Sequence, residues 1–495
     1  MKKVLGVFLA IALLLAIVPA VVAAPMQQGG GFDYIVVADD WLSKLADKYL
    51  GDMFAYPAIT HYTNQKHAED ESYAKITDSN LIEIGWKIYI PSPEEAQAYF
   101  DAQVAKLGGT GDTIKIGALL PLSAPGSVTG GAAMKAAFEI AVEEINAAGG
   151  ILGKPLELVM VDTEGLPERG TAAMERLITE EKVVAVVGEY HSAVGLTAKE
   201  VAHKYHVPTV FAETWNDNIT RVQYPEVFRI APLSSEIAAL DADFIEWLGV
   251  KRVVIMTENT GYGIPAAEKT TERLAERGIE AVTFSADIGT QDFSGIVERI
   301  KAENPELILV LLTGETSFNF EQQAAEGGIG PQDLLMICNQ VADDYKAFWA
   351  NVPDGNLCFY RKVGLPKVLY TDATKAFFDK YTEKTGKPSP ESYAMEAYDS
   401  LKLMAQAINE AGSTDPDAII TALENIEYHG ALGTITFPYG SHNPIPEGMD
   451  AKWWHQFPDF AAVFIQYQEE GQDSGEAPVV FPEKFQTAEP VIPGS

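Results

Sequence analysis

Residues 113–165, TIKIGALLPLSAPGSVTGGAAMKAAFEIAVEEINAAGGILGKPLELVMVDTEG, decide the fold. They read as a strand, a Gly/Pro/Ser loop, a long helix, a tight glycine turn and a second strand. Met134, Ala137, Phe138, Ala141, Val142 and Ile145 fall on one helical face. The run 146–150, Asn-Ala-Ala-Gly-Gly, supplies the helix stop. A strand–helix–strand unit of this kind implies a parallel sheet whose functional loops follow the strand carboxyl ends.

The same alternation continues downstream. Short apolar runs at 114–120, 156–161, 183–187, 208–211, 252–256, 281–284, 307–312 and 334–337 read as strands, with helical stretches between most of them. Such runs indicate strands buried on both faces. They are more than one compact lobe holds, so the expected fold is α/β, with two doubly wound parallel-sheet lobes.

The chain begins with Lys2 and Lys3, an uncharged apolar run over 4–18, Pro19, and the small residues Ala23 and Ala24. That is the pattern of a secretory signal over 1–24; a retained membrane anchor is the alternative. The expected protein is exported, to the periplasm or the cell surface. Its 36 basic and 70 acidic residues leave a net charge of −34. Nucleic acid is an unsuitable partner, because phosphate binding needs clustered Lys and Arg. Cys338 and Cys358 each end an expected strand of one lobe. Export permits a bridge between them, but sequence supplies no distance, so the pairing stays open.

Ahead of the large domain lies a small unit over 32–91. It reads as a strand at 34–37, a helix carrying Trp41, Leu42, Leu45, Ala46 and Tyr49 and capped by Asp39 and Asp40, a second helix near 57–64, and a strand closing on Pro91. Residues 92–111 read as a connecting helix and a glycine linker. The β-α-α-β order, with Tyr34, Val36, Asp40, Leu42, Leu45, Gly51, Ile59, Asn64, Gly85, Ile88 and Pro91, resembles a LysM module. The resemblance implies binding of N-acetylglucosamine-containing glycan, peptidoglycan above all, with Asp39, Asp40, Trp41 and Asn64 as contacts. The 39–41 turn and the polar stretch 65–80 depart from the module's usual pattern.

The loop Leu120-Pro121-Leu122-Ser123, with Glu143, Ile145, Asn146, Gly149, Gly150 and Gly153 after it, resembles the opening of the type I periplasmic solute-binding proteins of branched-chain amino-acid transporters. That resemblance implies two lobes joined by three hinge crossings, here near 231–234, 363–366 and 436–439. Lobe one then covers 112–232 and 364–436, and lobe two 233–363 and 437–472. Residues 473–495, rich in Pro, Gly and Glu, read as an irregular tail.

Candidate ligand contacts follow the strands. Tyr190, His191 and Ser192 start a helix where free N–H groups favour a carboxylate; the resemblance gives Ser192 the ligand's carboxylate. Thr214 matches a short Ala/Thr/Ser segment that meets the ligand's backbone. Glu213 and Trp215 depart from that segment. A carboxylate there suits an ammonium group, and a Trp stacks on a cation or ring. Tyr262, in Asn259-Thr-Gly-Tyr-Gly263, resembles the tyrosine by which the second lobe covers the ligand. Ser123 and Glu315 complete the set. His203 and His206, three apart, read as surface histidines rather than a metal pair. There is no Walker loop, no Gly-x-Ser-x-Gly and no His-Glu-x-x-His, so no enzyme, metal or cofactor is expected. The expected function is the solute-binding component of an ABC importer for an amino acid or similar small polar molecule, with a membrane permease as partner. A sensory binder, or a cell-wall glycan-binding protein, is the alternative.

Overall fold

The computed structural model describes residues 30–79, 81–104 and 111–494. The expected signal segment and residues 105–110 of the expected connecting helix and glycine linker lie outside the described residues. The chain divides into two compact units between Tyr99 and Phe100.

The small unit runs β1 (Phe32–Ile35), α1 (Leu42–Leu50), a short 3-10 turn, α2 (Tyr56–Glu69) and β2 (Lys87–Ile90), followed by α3 (Pro93–Val104). β1 and β2 pair antiparallel, Phe32 opposite Ile90 and Ile35 opposite Lys87. Val36, Leu42, Leu45, Ala58, Ile59, Ile88 and Ile90 are buried. Two expectations change. Asp40 does not cap α1: its carboxylate accepts from Val37 N and the Tyr34 hydroxyl, both at 2.9 Å, and Trp41 precedes the helix without a side-chain cap. The second helix runs past 64 to Glu69, shortening the loop read over 65–80.

The large unit opens with β3 (Ile114–Leu120), α4 (Val128–Ala147), β4 (Leu156–Asp162), α5 (Pro167–Thr179), β5 (Ala185–Gly188), α6 (Ser192–Lys204), β6 (Thr209–Phe211), α7 (Asn218–Arg221) and β7 (Val227–Arg229). These five strands form one parallel sheet in the order β4-β3-β5-β6-β7. β3 is the central strand that the opening stretch required, and all but Lys115 of it is buried. At the start of α4, Ser127 Oγ accepts from Gly130 N at 3.1 Å. Gly131 lets the helix approach the strand end: a Cβ there would stand 1.6 Å from the Pro121 carbonyl oxygen.

The chain then passes into the second sheet. In sequence come α8 (Ser234–Trp247), β8 (Arg252–Glu258), α9 (Gly263–Glu276), β9 (Glu280–Ala286), α10 (Ser294–Ala302), β10 (Leu307–Leu311), α11 (Gly314–Glu326), β11 (Leu335–Cys338), α12 (Tyr345–Asn351) and β12 (Phe359–Val363). It returns to pack α13 (Asp372–Thr385), α14 (Ser392–Ala411) and α15 (Pro416–Glu424) with the first sheet. A hairpin, β13 (Tyr428–Gly430) and β14 (Gly433–Ile435), follows. Asp399 holds it, accepting from Ala431 N at 2.9 Å, Leu432 N at 2.7 Å and the Tyr428 hydroxyl at 3.0 Å. β15 (Ala462–Gln466) and β16 (Val479–Phe481) complete a seven-stranded sheet, β16-β15-β12-β11-β10-β8-β9. Cys338 and Cys358 form a disulfide, Cα atoms 6.1 Å apart. Among the described residues no helix is long and apolar enough to cross a membrane.

Three details differ from expectation. The second sheet is not wholly parallel, because β15 runs antiparallel to both β12 and β16. The third crossing falls between Phe457 and Ala462, not at 436–439. Phe437 and Phe457 are buried in the first lobe's core, and His455 stacks on Phe228 at 3.8 Å, so residues 437–457 stay with lobe one. The tail is not irregular throughout: Val479–Phe481 is an edge strand with Val480 buried, and Val491 N donates to Gln466 Oε1 at 2.8 Å.

Asp241 on α8 accepts from Arg361 Nη1 through both oxygens, at 2.7 and 2.6 Å, and both side chains are buried. Removing the carboxylate leaves a buried guanidinium without its counter-charge. Asp241→Ala should therefore lower the unfolding free energy by about 3–5 kcal/mol in urea denaturation; a loss below about 1 kcal/mol would show that the pair is not buried in solution.

Candidate functional site

The loops after β5, β6, β8, β10 and β11 meet between the two sheets, at the strand carboxyl ends. They surround a narrow cavity between the lobes. Lobe one lines it with Gly165, Tyr190, His191, Ser192, Ala193, Glu213 and Trp215. Lobe two adds Glu258, Thr260, Tyr262, Ile288, Thr313, Asn339 and Gln340.

Ser192 and Ala193 form the first turn of α6, whose backbone N–H groups lack intrahelical acceptors. The Ser192 hydroxyl oxygen accepts from Trp215 N at 2.9 Å and Asn216 N at 3.2 Å, so it pins the loop after β6 and keeps its own proton to donate. His191 is neutral, since burial pulls it down to about 3. Its Nε2 accepts from Ser127 N at 3.0 Å, which puts the ring proton on Nδ1. Trp215 and Tyr262 meet edge to face across the lobes, ring centres 6.2 Å apart. Glu258 accepts from Thr313 N at 2.9 Å and from the Thr313 and Thr260 hydroxyls at 2.7 and 2.6 Å, tying two lobe-two loops together.

Glu213 carries the chemistry of the lobe-one wall. Gln340 Nε2, from lobe two, donates to its Oε1. Behind it stands Glu396 of α14, close enough that each carboxyl feels the other. Two buried carboxyls side by side do not readily ionise together. Burial pushes Glu213 up to about 7, and burial, followed by the charge of Glu213, pushes Glu396 well above the carboxylate range.

The lobes also touch around the cavity. Asn216 Nδ2 donates to Gly261 O at 2.5 Å. Glu315, at the first turn of α11, accepts from Val128 N at 3.1 Å and from Thr129 N and Oγ1, each at 2.8 Å. It thus caps α4 across the cleft, where the helix dipole favours an anion.

Several expected site residues sit elsewhere. Thr214 is buried but does not line the cavity. Glu213 and Trp215 face the cavity, while Thr214 turns to α6, its methyl filling the space beside Gly195. Ser123 is exposed and hydrogen-bonded to Asp162. Glu315 serves lobe contact and does not line the cavity. In the small unit, the Asn64 amide is spent on both backbone groups of Ile76, at 2.8 Å each. His203 and His206 are not bare surface histidines. Both bind the buried Glu226, and His206 Nε2 also meets Asp417 at 2.8 Å. Among the described residues no group of acidic, His or Cys side chains is arranged to hold a metal. Sequence reasoning missed Glu258, Asn339, Gln340 and Glu396. The first three follow strand ends, which was the signal available; Glu396 gives none.

Two α/β lobes closed over an aromatic and carboxylate-lined cavity define a solute-binding protein of the two-lobed class. Residues 113–449 match the periplasmic binding protein family, and the chain belongs to it. Members of that family are extracytoplasmic binding proteins, not enzymes. An amino acid binding protein of Pseudomonas aeruginosa is 28% identical over 278 residues, covering 56% of this chain and 73% of its own. A leucine-binding protein of Thermotoga maritima superposes with TM-score 0.63 at 25% identity, covering 72% of this chain and 96% of its own. A solute-binding protein of an ABC transporter from R. palustris, in complex with benzoate, superposes with TM-score 0.63 at 20% identity, covering 75% and 98%, a likeness of fold.

The buried carboxyls set a pH dependence. Glu189 and Glu213 at about 7 and Glu321 at about 8 stand above their ordinary 4.5, each raised first by burial. The folded state then holds protons that the unfolded chain has released, so stability falls as pH rises through those values. His206, raised to about 9 by its bond to Glu226, acts in the same direction above 6.5. His191 and His455 are lowered and act oppositely, but only below 6.5. The melting temperature of the ligand-free protein should fall from pH 6.5 to 8.5, and Glu213→Gln should flatten the decline. A flat or rising profile in the parent protein would contradict this.

Proposed function

We propose that this chain is the solute-binding component of an ABC importer. It captures an amino acid or similar small polar molecule by closure of its two lobes, and the closed form docks on a membrane permease. The observation that carries this reading is the cavity between the carboxyl ends of two sheets, walled by Tyr262 and Trp215 and bridged by Glu213–Gln340 and Asn216–Gly261. Ser192 and the first turn of α6 suit an anionic group, and the acidic wall suits a cationic one. The relatives named above bind amino acids or aromatic acids, which supports a small solute.

Thermal-shift screening against L-amino acids, short amides and aromatic acids tests the reading, because a ligand at a hundred times its Kd stabilises by about 2.7 kcal/mol. Tyr262→Ala and Ser192→Ala should each weaken the best hit at least about tenfold, a loss of about 1.4 kcal/mol. Unchanged affinity in both variants rejects the cleft as the binding site.

For the small unit we propose glycan binding that holds the protein near the cell wall. Trp41 is 54% exposed with Lys44 Nζ over its ring at 4.7 Å, and Val37 and Ile84 are exposed as well. Val36 N–Trp86 O and Gly85 N–Val36 O bonds bring those two apolar residues to one end of the unit. An exposed indole and exposed apolar side chains suit the apolar face of a sugar ring. Sedimentation with insoluble peptidoglycan should retain the full chain and lose a chain lacking residues 32–91. Equal retention of both would remove the role.

A further inference from the structure

We propose that Arg229 and Gln456 are positioning residues for solute capture: together they hold the cavity wall at 214–216 in register with the places where the chain first and last passes from lobe one into lobe two. Neither residue lines the cavity, so each acts through the wall. The proposal rests on the solute-capture reading and extends it to the parts behind the wall.

The argument begins with a buried cation. Arg229 ends β7 and is fully buried, as is Gln456. Burial pulls the guanidinium down to about 9, against the opposing charge of Asp217, so it stays charged at neutral pH. Each of its N–H groups, taken out of water, needs an acceptor. Nη1 donates to Thr214 O at 3.1 Å and to Asn216 O at 2.6 Å. Nη2 donates to Thr220 Oγ1 at 3.2 Å, and Nε to Gln456 Oε1 at 2.6 Å. Trp215 O, between the two carbonyls that Arg229 holds, accepts from Ser234 N at 2.7 Å. The carbonyls of Thr214, Trp215 and Asn216 are therefore all held. Ser192 already holds the Trp215 and Asn216 N–H groups, so the peptide planes of the wall cannot turn independently of β7.

Gln456 carries the tie onward. Its Nε2 donates to Ala231 O at 2.8 Å and to Phe457 O at 2.7 Å. Ala231 leads into the first crossing, and Phe457 into the third. The backbone reinforces the link: Arg229 N donates to His455 O, and Phe457 N to Arg229 O, each at 3.0 Å. A second arm runs through Thr220, whose hydroxyl donates to Lys452 O at 2.7 Å. Lys452 Nζ in turn donates to Ser235 Oγ at 2.7 Å and Glu236 Oε1 at 2.8 Å, in the first turn of α8. A planar guanidinium presents its N–H groups in a fixed fork, whereas an ammonium is one compact charge. Arg229 can therefore serve the wall and Gln456 at once, which a lysine cannot. Lobe closure rotates a few residues at the crossings. The Arg229–Gln456 pair keeps the wall rigid on the lobe-one side of that rotation.

Hydrogen exchange of the full chain, read by mass spectrometry, tests the proposal on the parent, Arg229→Lys and Gln456→Met. Gln456 bonds to no cavity-lining residue, and Met removes its amide at similar size. Each variant should speed exchange in peptides spanning 212–217 and 230–236 at least about tenfold, with β3 and β10 unchanged. Isothermal titration with L-leucine and benzoate is the second readout. Whichever probe binds the parent should bind each variant at least about tenfold more weakly. A merely structural role would speed exchange equally in every peptide, and that result overturns the proposal. Unchanged exchange over 212–217 in Gln456→Met overturns it too, as does probe affinity unchanged in both variants. Either variant decides where the other does not fold. If neither probe binds the parent, the exchange pattern alone decides whether the two residues hold the wall. An unchanged pattern removes the positioning role and leaves solute capture standing, whereas capture itself falls only with the solute screen.

Discussion

The contact between Glu213 and Gln340 is the constraint around which the rest is arranged. It joins a carboxyl of the first lobe to an amide of the second, and both side chains are buried. In that setting an acidic side chain is not a solvated surface charge, whatever the chain's overall acidity suggests. Its proton, its partner in Glu396 and the position of lobe two become one linked equilibrium.

Close approach of the lobes depends on small residues and on backbone groups. Gly314 stands where a Cβ would meet Ser127 at 2.7 Å, and Gly261 where one would meet the Leu196 side chain at 2.9 Å. Beside them Glu315 reaches the open N–H groups of α4. The strand ends of lobe two thus present backbone and one carboxylate to a helix terminus of lobe one. Such contacts are polar and individually modest.

The site was partly legible in the sequence. Residues directly after the strands at 183–187 and 208–211 were found, because parallel sheets place their loops at one edge and the resemblance pointed to the same loops. Tyr190, His191, Ser192, Glu213, Trp215 and Tyr262 do line the cavity. Thr214 was placed there by the resemblance of the segment, and the structure turns its side chain toward Gly195 of α6 instead. Glu258 was overlooked because its strand runs two residues beyond the apolar run that announced it. Glu315 was given to the ligand because a single strand-end carboxylate does not reveal whether a facing helix terminus will claim it.

What the sequence determined by itself was the alternation of strand and helix, the edge of each sheet that would carry function, and the existence of a separate small unit at the amino-terminal end. These follow from local periodicity and from the handed, short-range rules of parallel connection. Tertiary structure alone decided that residues 437–457 remain with lobe one, that Val479–Phe481 becomes an edge strand, and that Glu396 stands behind Glu213. Each depends on which distant surfaces meet, and the 182 residues between Glu213 and Glu396 carry no local trace of the encounter. Their pairing arises only once α14 has packed against the first sheet and water has left the space between them.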